Sequence, residues 1–105
     1  MTTSTTTSIV AGRVTADDIT RALRALVPDT HRALLFGSRA TGHAGDRSDW
    51  DIGIVGSTPL DGEILERIRE ALDWLPTLRT FDVVDLSTAP PELRTRALSE
   101  GLRLA

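Results

Sequence analysis

Two short apolar segments, joined by a polar segment that contains glycine, constrain this chain more than any other feature. The first ends at Phe36 and is followed at once by Gly37, and the second runs to Val55 after two aspartates, Asp49 and Asp51. Apolar runs of this length with glycine and polar residues at their ends indicate β-strands. Residues i and i+2 of a strand share a face, about 6.5–7 Å apart along the chain. Asp49 and Asp51 are therefore predicted to point the same way.

This pair of carboxylates favours a metal site. Two carboxylates at the head of a strand repel each other unless a cation lies near them, and a purely structural role gains nothing from the pairing. Oxygen ligands of this kind suit Mg²⁺ or Mn²⁺ better than Zn²⁺. A local cap formed by Asp49 with Ser48 is the structural alternative, but it leaves Asp51 unexplained at the top of an apolar strand. Trp50 is predicted to lie on the opposite face, in the core.

Composition excludes several classes of protein. A chain of 105 residues is expected to form one domain, and its net charge of −3 argues against a general surface for nucleic acid or anionic membrane. It has no cysteine, which excludes disulfides and thiolate metal sites. No apolar run approaches the roughly 20 residues of a membrane helix. Residues 1–8 lack the pattern of a signal peptide, so the cytoplasm is the expected location.

The remaining pattern predicts one domain over residues 13–105, after a polar, disordered tail over residues 1–12. Thr15 is predicted to cap a first helix that stops at Pro28, and a last helix is predicted with Ser87 or Thr88 as its cap and Gly101 at its end. Strands are predicted at residues 31–36, 49–55 and 80–86, with a short helix after Gly37, an amphipathic helix over residues 61–75 and an edge strand near residues 102–104. Trp74, late in the amphipathic helix, is expected to pack, and an exposed tryptophan there would instead indicate a surface for a partner.

The spacing of these residues resembles a known family. Gly37-Ser38, ten residues, and then Asp49-Trp50-Asp51 is similar to the signature of the DNA polymerase beta-like nucleotidyltransferases. The extended form is most similar to the minimal nucleotidyltransferases, many of which are antitoxins paired with HEPN-domain toxins. The resemblance implies an α/β (α+β) fold with a small mixed sheet of three to four strands and flanking helices.

The resemblance also implies a third carboxylate on a neighbouring strand, facing the same way as the first two. Asp82 is the match, because it lies among apolar strand residues, where an acidic side chain is unexpected unless it has a function. Asp85 is the competitor, but it lies near the end of the strand, where capping the following turn is the expected role.

On this resemblance, Asp49, Asp51 and Asp82 would hold two Mg²⁺ ions, with Mn²⁺ as the alternative, and Asp82 would be the candidate base. Gly37 and Ser38 would bind the triphosphate of ATP, with charge-assisted contacts from Arg39 and Arg47. Thr41 and Gly45 stand where the family often has arginine, which bears on phosphate affinity. His43 is expected to be solvated.

At 105 residues, the chain is expected to lack the helical domain with which larger nucleotidyltransferases bind an acceptor. The implied function is therefore that of an antitoxin that transfers AMP from ATP to a tyrosine hydroxyl of a cognate HEPN toxin, without direct binding of nucleic acid. Two alternatives stay open: a module of the same fold that masks a toxin without turnover, and an enzyme that transfers a nucleotide to a small molecule. The oligomeric state is not indicated.

Overall fold

The structure is a computed structural model, and it describes residues 14–42 and 49–105. The predicted N-terminal tail and the candidate residues His43, Gly45 and Arg47 lie outside these ranges. The elements, in chain order, are α1 (Ala16–Leu23), β1 (His31–Phe36), α2 (Ser38–Thr41), β2 (Trp50–Gly56), α3 (Gly62–Asp73), β3 (Phe81–Asp85), α4 (Pro91–Glu100) and β4 (Leu102–Arg103). None of these helices is long and apolar enough to cross a membrane.

The four strands form one mixed sheet in the order β3-β2-β1-β4. β1 is antiparallel to both β2 and β4, whereas β2 and β3 are parallel. Because two parallel strands need a crossover, the amphipathic helix α3 connects them. The C-terminal end of β1 and the N-terminal ends of β2 and β3 therefore meet at one edge of the sheet. The predicted fold class, a small mixed sheet with flanking helices, is confirmed.

Both faces of the sheet are covered. Alternate strand residues on one face pack against α1 and α3 and form the larger core, which includes Ile19, Leu23, Ile52, Ile54, Ile68, Leu72 and Val83. The other face packs against α4 and forms a smaller core of Leu34, Phe36, Val55, Leu86 and Ala97. Trp50 belongs to the larger core and is only 5% exposed, as predicted from its position in the strand.

The helix ends follow the sequence only in part. Thr15 and Asp18 form a reciprocal capping box at the start of α1, and Asp61 caps α3 by accepting a hydrogen bond from the Glu63 amide. The predicted side-chain cap of α4 is wrong. Pro90 occupies the cap position and makes no side-chain hydrogen bond, because the amide and hydroxyl of Ser87 are both donated to Asp85.

Several boundaries also differ from the prediction: β2 ends at Gly56, and β3 covers only Phe81–Asp85. β2 begins at Trp50 rather than Asp49, and the Trp50 amide donates to the carbonyl of Thr80, the residue just before β3, at 3.0 Å. α1 ends at Leu23, before Pro28, because the amides of residues 26 and 27 both turn back to the Leu23 carbonyl. α3 ends at Asp73, two residues before the predicted end.

Strand β3 is an edge of the sheet, and a side chain from α3 covers part of it. The Arg69 guanidinium donates a hydrogen bond of 3.0 Å to the Val83 carbonyl and is paired with Glu66 on its own helix. Because Val83 lies in the middle of β3, a backbone acceptor that would otherwise be free to pair with another chain is already satisfied.

Candidate active site

Gly37 has a backbone conformation that its neighbours require. It precedes α2 with φ 76° and ψ −158°, a region that is essentially restricted to glycine. A Cβ atom at this position would overlap the Oδ2 atom of Asp51. The turn after β1 therefore brings the backbone directly against a carboxylate at the start of β2, and only glycine leaves room for that approach.

Asp51 and Asp82 lie side by side at the edge of the sheet where this turn is found. They are direct partners in the parallel register of β2 and β3, so their side chains share a face. Phe36, the last residue of β1, is the partner of Asp51 on the other side. The register thus places Asp82, and not Asp85, beside the first carboxylates.

The electrostatics of Asp51 agree with this crowding. Burial raises the pKa of the Asp51 carboxyl, and the negative charges of Asp82 and Asp49 raise it further. The pKa of Asp49 is instead lowered, chiefly because its carboxylate accepts a hydrogen bond from the Thr80 backbone amide, with Arg79 and Arg39 adding favourable charge. The site therefore combines one carboxylate that resists ionisation with another whose charge is stabilised.

Asp49 is engaged at the base of β3. Its Oδ1 atom accepts the Thr80 amide at 3.2 Å, which ties the start of β2 to the residue just before β3. Among residues 14–42 and 49–105, no three carboxylate or histidine side chains are gathered tightly enough to hold an ion between them. The donor set nevertheless suits a hard divalent cation, because Asp49, Asp51 and Asp82 offer only carboxylate oxygens and their repulsion is relieved by positive charge.

Arg39 lies against the core rather than in open solvent. Its guanidinium carbon is 4.0 Å from the centre of the Trp50 ring, and Trp50 in turn stacks on Phe81 with ring centroids 6.4 Å apart. A cation over a tryptophan face is a favourable contact. Arg39 thus anchors α2 to the first residues of β2 and β3, beside the aspartates. The neighbouring Ser38 is the first residue of α2 and is partly exposed.

Asp85 has the structural role that the sequence indicated. One carboxylate oxygen accepts the Leu60 amide at 2.8 Å, and the other accepts the amide and hydroxyl of Ser87. Burial acts to raise the pKa of Asp85, but these hydrogen bonds outweigh it and lower the pKa. His31 is the first residue of β1, and its Nε2 atom is hydrogen-bonded to the Thr58 carbonyl at 2.8 Å.

Sequence reasoning missed the surface beside the site. Trp74 was expected to pack, but it is 83% exposed, and Leu78, which the sequence did not single out, is 91% exposed. The helix α3 ends one residue before Trp74, so this side chain lies beyond the face that packs on the sheet. One sequence feature could have indicated this surface: the turn between Pro76 and Thr80 contains Leu78, an apolar residue that belongs to no periodic pattern.

Comparison with known proteins gives consistent results. The chain is 35% identical over 72 residues to Probable protein adenylyltransferase MntA of Haemophilus influenzae, which covers 69% of this chain and 62% of that relative. The chain therefore spans less than two thirds of the relative's length.

Two solved structures have a similar fold. One chain belongs to a toxin-antitoxin crystal structure with AMP-PNP, with a TM-score of 0.64, 28% identity and coverage of 88% of this chain and 73% of that one. Another belongs to a tri-AMPylated Shewanella oneidensis HEPN toxin in complex with an MNT antitoxin, with a TM-score of 0.56, 26% identity and coverage of 86% and 68%. The family model for polymerase beta nucleotidyltransferases matches residues 18–105. The chain belongs to the polymerase beta nucleotidyltransferase family.

Proposed function

We propose that this protein is a metal-dependent nucleotidyltransferase that transfers AMP from ATP to a tyrosine hydroxyl of a HEPN-domain toxin, and so acts as an antitoxin. The observation that carries the proposal is the in-register pair of Asp51 and Asp82 against the glycine turn at Gly37. The similarity to an adenylyltransferase and to chains of toxin-antitoxin complexes supports it. Cytoplasmic ATP would be the nucleotide source.

The chemistry follows from where these residues lie. Asp49, Asp51 and Asp82 would hold two Mg²⁺ ions, which when bound supply charge neutralisation of the triphosphate and lower the pKa of the acceptor hydroxyl. In the transfer, the acceptor oxygen forms a bond to the α-phosphorus of ATP, the bond from that phosphorus to pyrophosphate breaks, and pyrophosphate leaves. Such transfers depend mostly on positioning and charge, so few further groups are needed.

The chain's own residues divide the remaining tasks. Asp82 is exposed on the edge strand β3, where it can accept the proton of an incoming hydroxyl. Gly37 lies on the other side, at the end of β1, where its backbone permits close approach of a phosphate and Ser38 offers a hydroxyl donor. Arg39, already beside Asp49, adds positive charge, and Arg47 is proposed to do the same.

One observation favours a second candidate function, which is masking of a toxin without turnover. The Asp49 carboxylate is bound to the Thr80 amide, and the described residues do not already hold three carboxylates around one point. A chain of this fold that never assembled its metal site could still neutralise a toxin by binding it.

Labelling by purified protein separates the two functions. The protein is incubated with α-labelled ATP, Mg²⁺ and the product of the neighbouring gene, beside the double variant Asp49→Asn, Asp51→Asn. Asp29→Asn is the matched control, because Asp29 is an exposed acid just before β1, at the opposite edge of the sheet. Label on the partner with the wild type and the control, but not with the double variant, supports transfer.

The same variants distinguish the outcomes that remain. A stable complex without label, whose toxin is still neutralised by the double variant, would replace transfer by masking. Label on a small hydroxylated compound in the absence of any partner protein would instead support transfer to a small molecule.

A further inference from the structure

Two large apolar side chains stand exposed on one short turn. Trp74 is 83% exposed and Leu78 is 91% exposed, whereas the other exposed large apolar residues of the described part of the chain, Leu98 and Leu102, are 42% and 53% exposed. We call the turn that carries Trp74 and Leu78 the apolar rim. Single exposed apolar residues scattered over a surface are normal. Two large apolar side chains that are almost fully exposed within five residues of each other indicate a candidate interaction surface.

The apolar rim adjoins the candidate active site. It connects the end of α3 to the start of β3, and the last residue of the turn, Thr80, donates its amide to Asp49 at 3.2 Å and accepts the Trp50 amide at 3.0 Å. Two hydrogen bonds therefore join the turn to the first residues of β2.

The sheet order places the rim on a definite side of the site. β2 lies between β1 and β3, so the Gly37 turn flanks Asp51 on one side and the turn before β3 flanks it on the other. Gly37 is on the side where the nucleotide is proposed to bind. The rim is on the side of Asp82, where the acceptor hydroxyl must approach.

The backbone of the turn is held in place before any partner binds. The Trp74 amide donates to the Ala71 carbonyl at 3.3 Å, the Thr77 amide donates to the Leu75 carbonyl at 2.8 Å, and the Arg79 amide donates to the Thr77 hydroxyl at 3.1 Å. A turn with a fixed backbone presents its side chains at little further loss of entropy. Tryptophan also buries about 150–250 Å² when covered and is enriched among residues that dominate interfaces.

From this position we infer that the apolar rim is the docking surface for the acceptor protein, contacting apolar side chains that surround the hydroxyl to be modified. The inference rests on the proposed function, since it names the surface by which that site selects its acceptor. A small-molecule acceptor would leave both side chains in water. A protein acceptor covers them while its hydroxyl reaches Asp82.

The test compares two double variants of the full chain. Trp74→Ser with Leu78→Ser removes the rim, and Leu98→Ser with Leu102→Ser removes two exposed large apolar side chains elsewhere on the surface. The first is expected to weaken binding of the neighbouring gene's product at least about tenfold and to raise the KM for that acceptor, since two anchors are lost. The affinity for Mg-ATP, measured by calorimetry, is expected to be unchanged in both variants.

Failure of this inference is distinguishable from failure of the proposed function. Normal labelling and binding by the Trp74 and Leu78 variant would overturn the inference and leave transfer intact. Weakened binding by that variant, with no labelling even by the wild type, would keep the docking surface and overturn transfer. Sedimentation of the protein alone tests whether the rim binds a second copy of the chain. Self-association that is lost when Trp74 is replaced would assign the rim to that second copy and overturn the inference.

Discussion

Asp51 and Asp82 are direct partners across β2 and β3, and the negative charge of Asp82 adds to burial in raising the pKa of Asp51. Because Asp82 is one of the causes that raise the pKa of Asp51, we expect Asp82→Asn to lower the Asp51 pKa toward its ordinary value. Carboxyl titration by carbon NMR, in metal-free buffer, measures it. Asp29→Asn, at the opposite edge of the sheet, is expected to leave the Asp51 pKa unchanged. Equal shifts in both variants would mean that general charge, and not the pairing, sets the value.

Gly37→Ala is expected to destabilise the protein by about 1–3 kcal/mol, because alanine is strained in this region of φ and ψ and its Cβ displaces the Asp51 carboxylate. Chemical denaturation measures the loss. Gly62→Ala is the matched control, because nothing lies within 4 Å of a Cβ there and the residue starts a helix. The control is expected to be neutral or slightly stabilising. A similar loss in both variants would contradict the special role of the Gly37 turn.

Gly53→Ala is expected to overpack the core beneath α4. A Cβ at Gly53 would lie 2.6 Å from Cδ1 and 2.8 Å from Cγ of Leu86, which is completely buried. We expect a loss of about 1–3 kcal/mol for Gly53→Ala and about 2–5 kcal/mol for Leu86→Ala. Because the second substitution opens the space that the first needs, the double variant should lose clearly less than the sum. Strict additivity in denaturant unfolding would refute this contact.

Asp18 makes the stability of α1 depend on pH. Its pKa lies below the ordinary 3.8, chiefly because the Thr15 amide donates to it, with further bonds from the Thr15 hydroxyl and Arg21. A lowered pKa means that the folded state binds the proton less readily than the unfolded state, so this contribution is present above pH 3.8 and is lost as pH falls through the folded-state pKa.

Asp18→Asn is therefore expected to cost about 1 kcal/mol at neutral pH, as for other lost caps. The difference from wild type should shrink as the solution is acidified below about pH 4. Asp17→Asn, in the same turn, matches the change of charge but is not part of the capping box. Unfolding curves at a series of pH values measure both, and a constant difference down to acid pH would exclude the carboxylate as the cause.

Arg39→Gln is expected to lower stability by about 0.5–1 kcal/mol through loss of the contact with the Trp50 ring. In a Trp74→Phe background only Trp50 emits, so its fluorescence should change in the same variant. An unchanged emission and unchanged stability would mean that the guanidinium leaves the ring in solution, where it could reach a phosphate as the sequence predicts.

The site elements that could be predicted from the sequence are those fixed by period and spacing. Alternation in a strand was enough to put Trp50 in the core and Asp51 on the other face, whereas Asp82 was preferred to Asp85 on the family resemblance and on its apolar neighbours. The choice of partners in the sheet was not contained in that pattern. It depends on the packing of α1 and α3 over one face, which involves residues far apart in the chain.

Local competition explains the errors. Ser87 is a good cap in isolation, but Asp85 takes both of its donors, so α4 starts later and without a side-chain cap. Asp49 was assigned to the strand, but its carboxylate is used to hold Thr80. Trp74 was included in the amphipathic helix predicted over residues 61–75, yet α3 ends at Asp73. Each error arises where a hydrogen bond or a helix end overrides a periodic pattern.

The bond from Arg69 to the Val83 carbonyl has a consequence for how this protein meets others. Strand addition at an open sheet edge is nearly blind to sequence, because it uses backbone groups that every chain has. With that carbonyl occupied, extension of the sheet by a stray extended segment, and the fibril growth that follows from it, must first break a charged contact. Strand addition at this point of the edge is thereby disfavoured, and contacts there rely on side chains, which differ from one protein to the next.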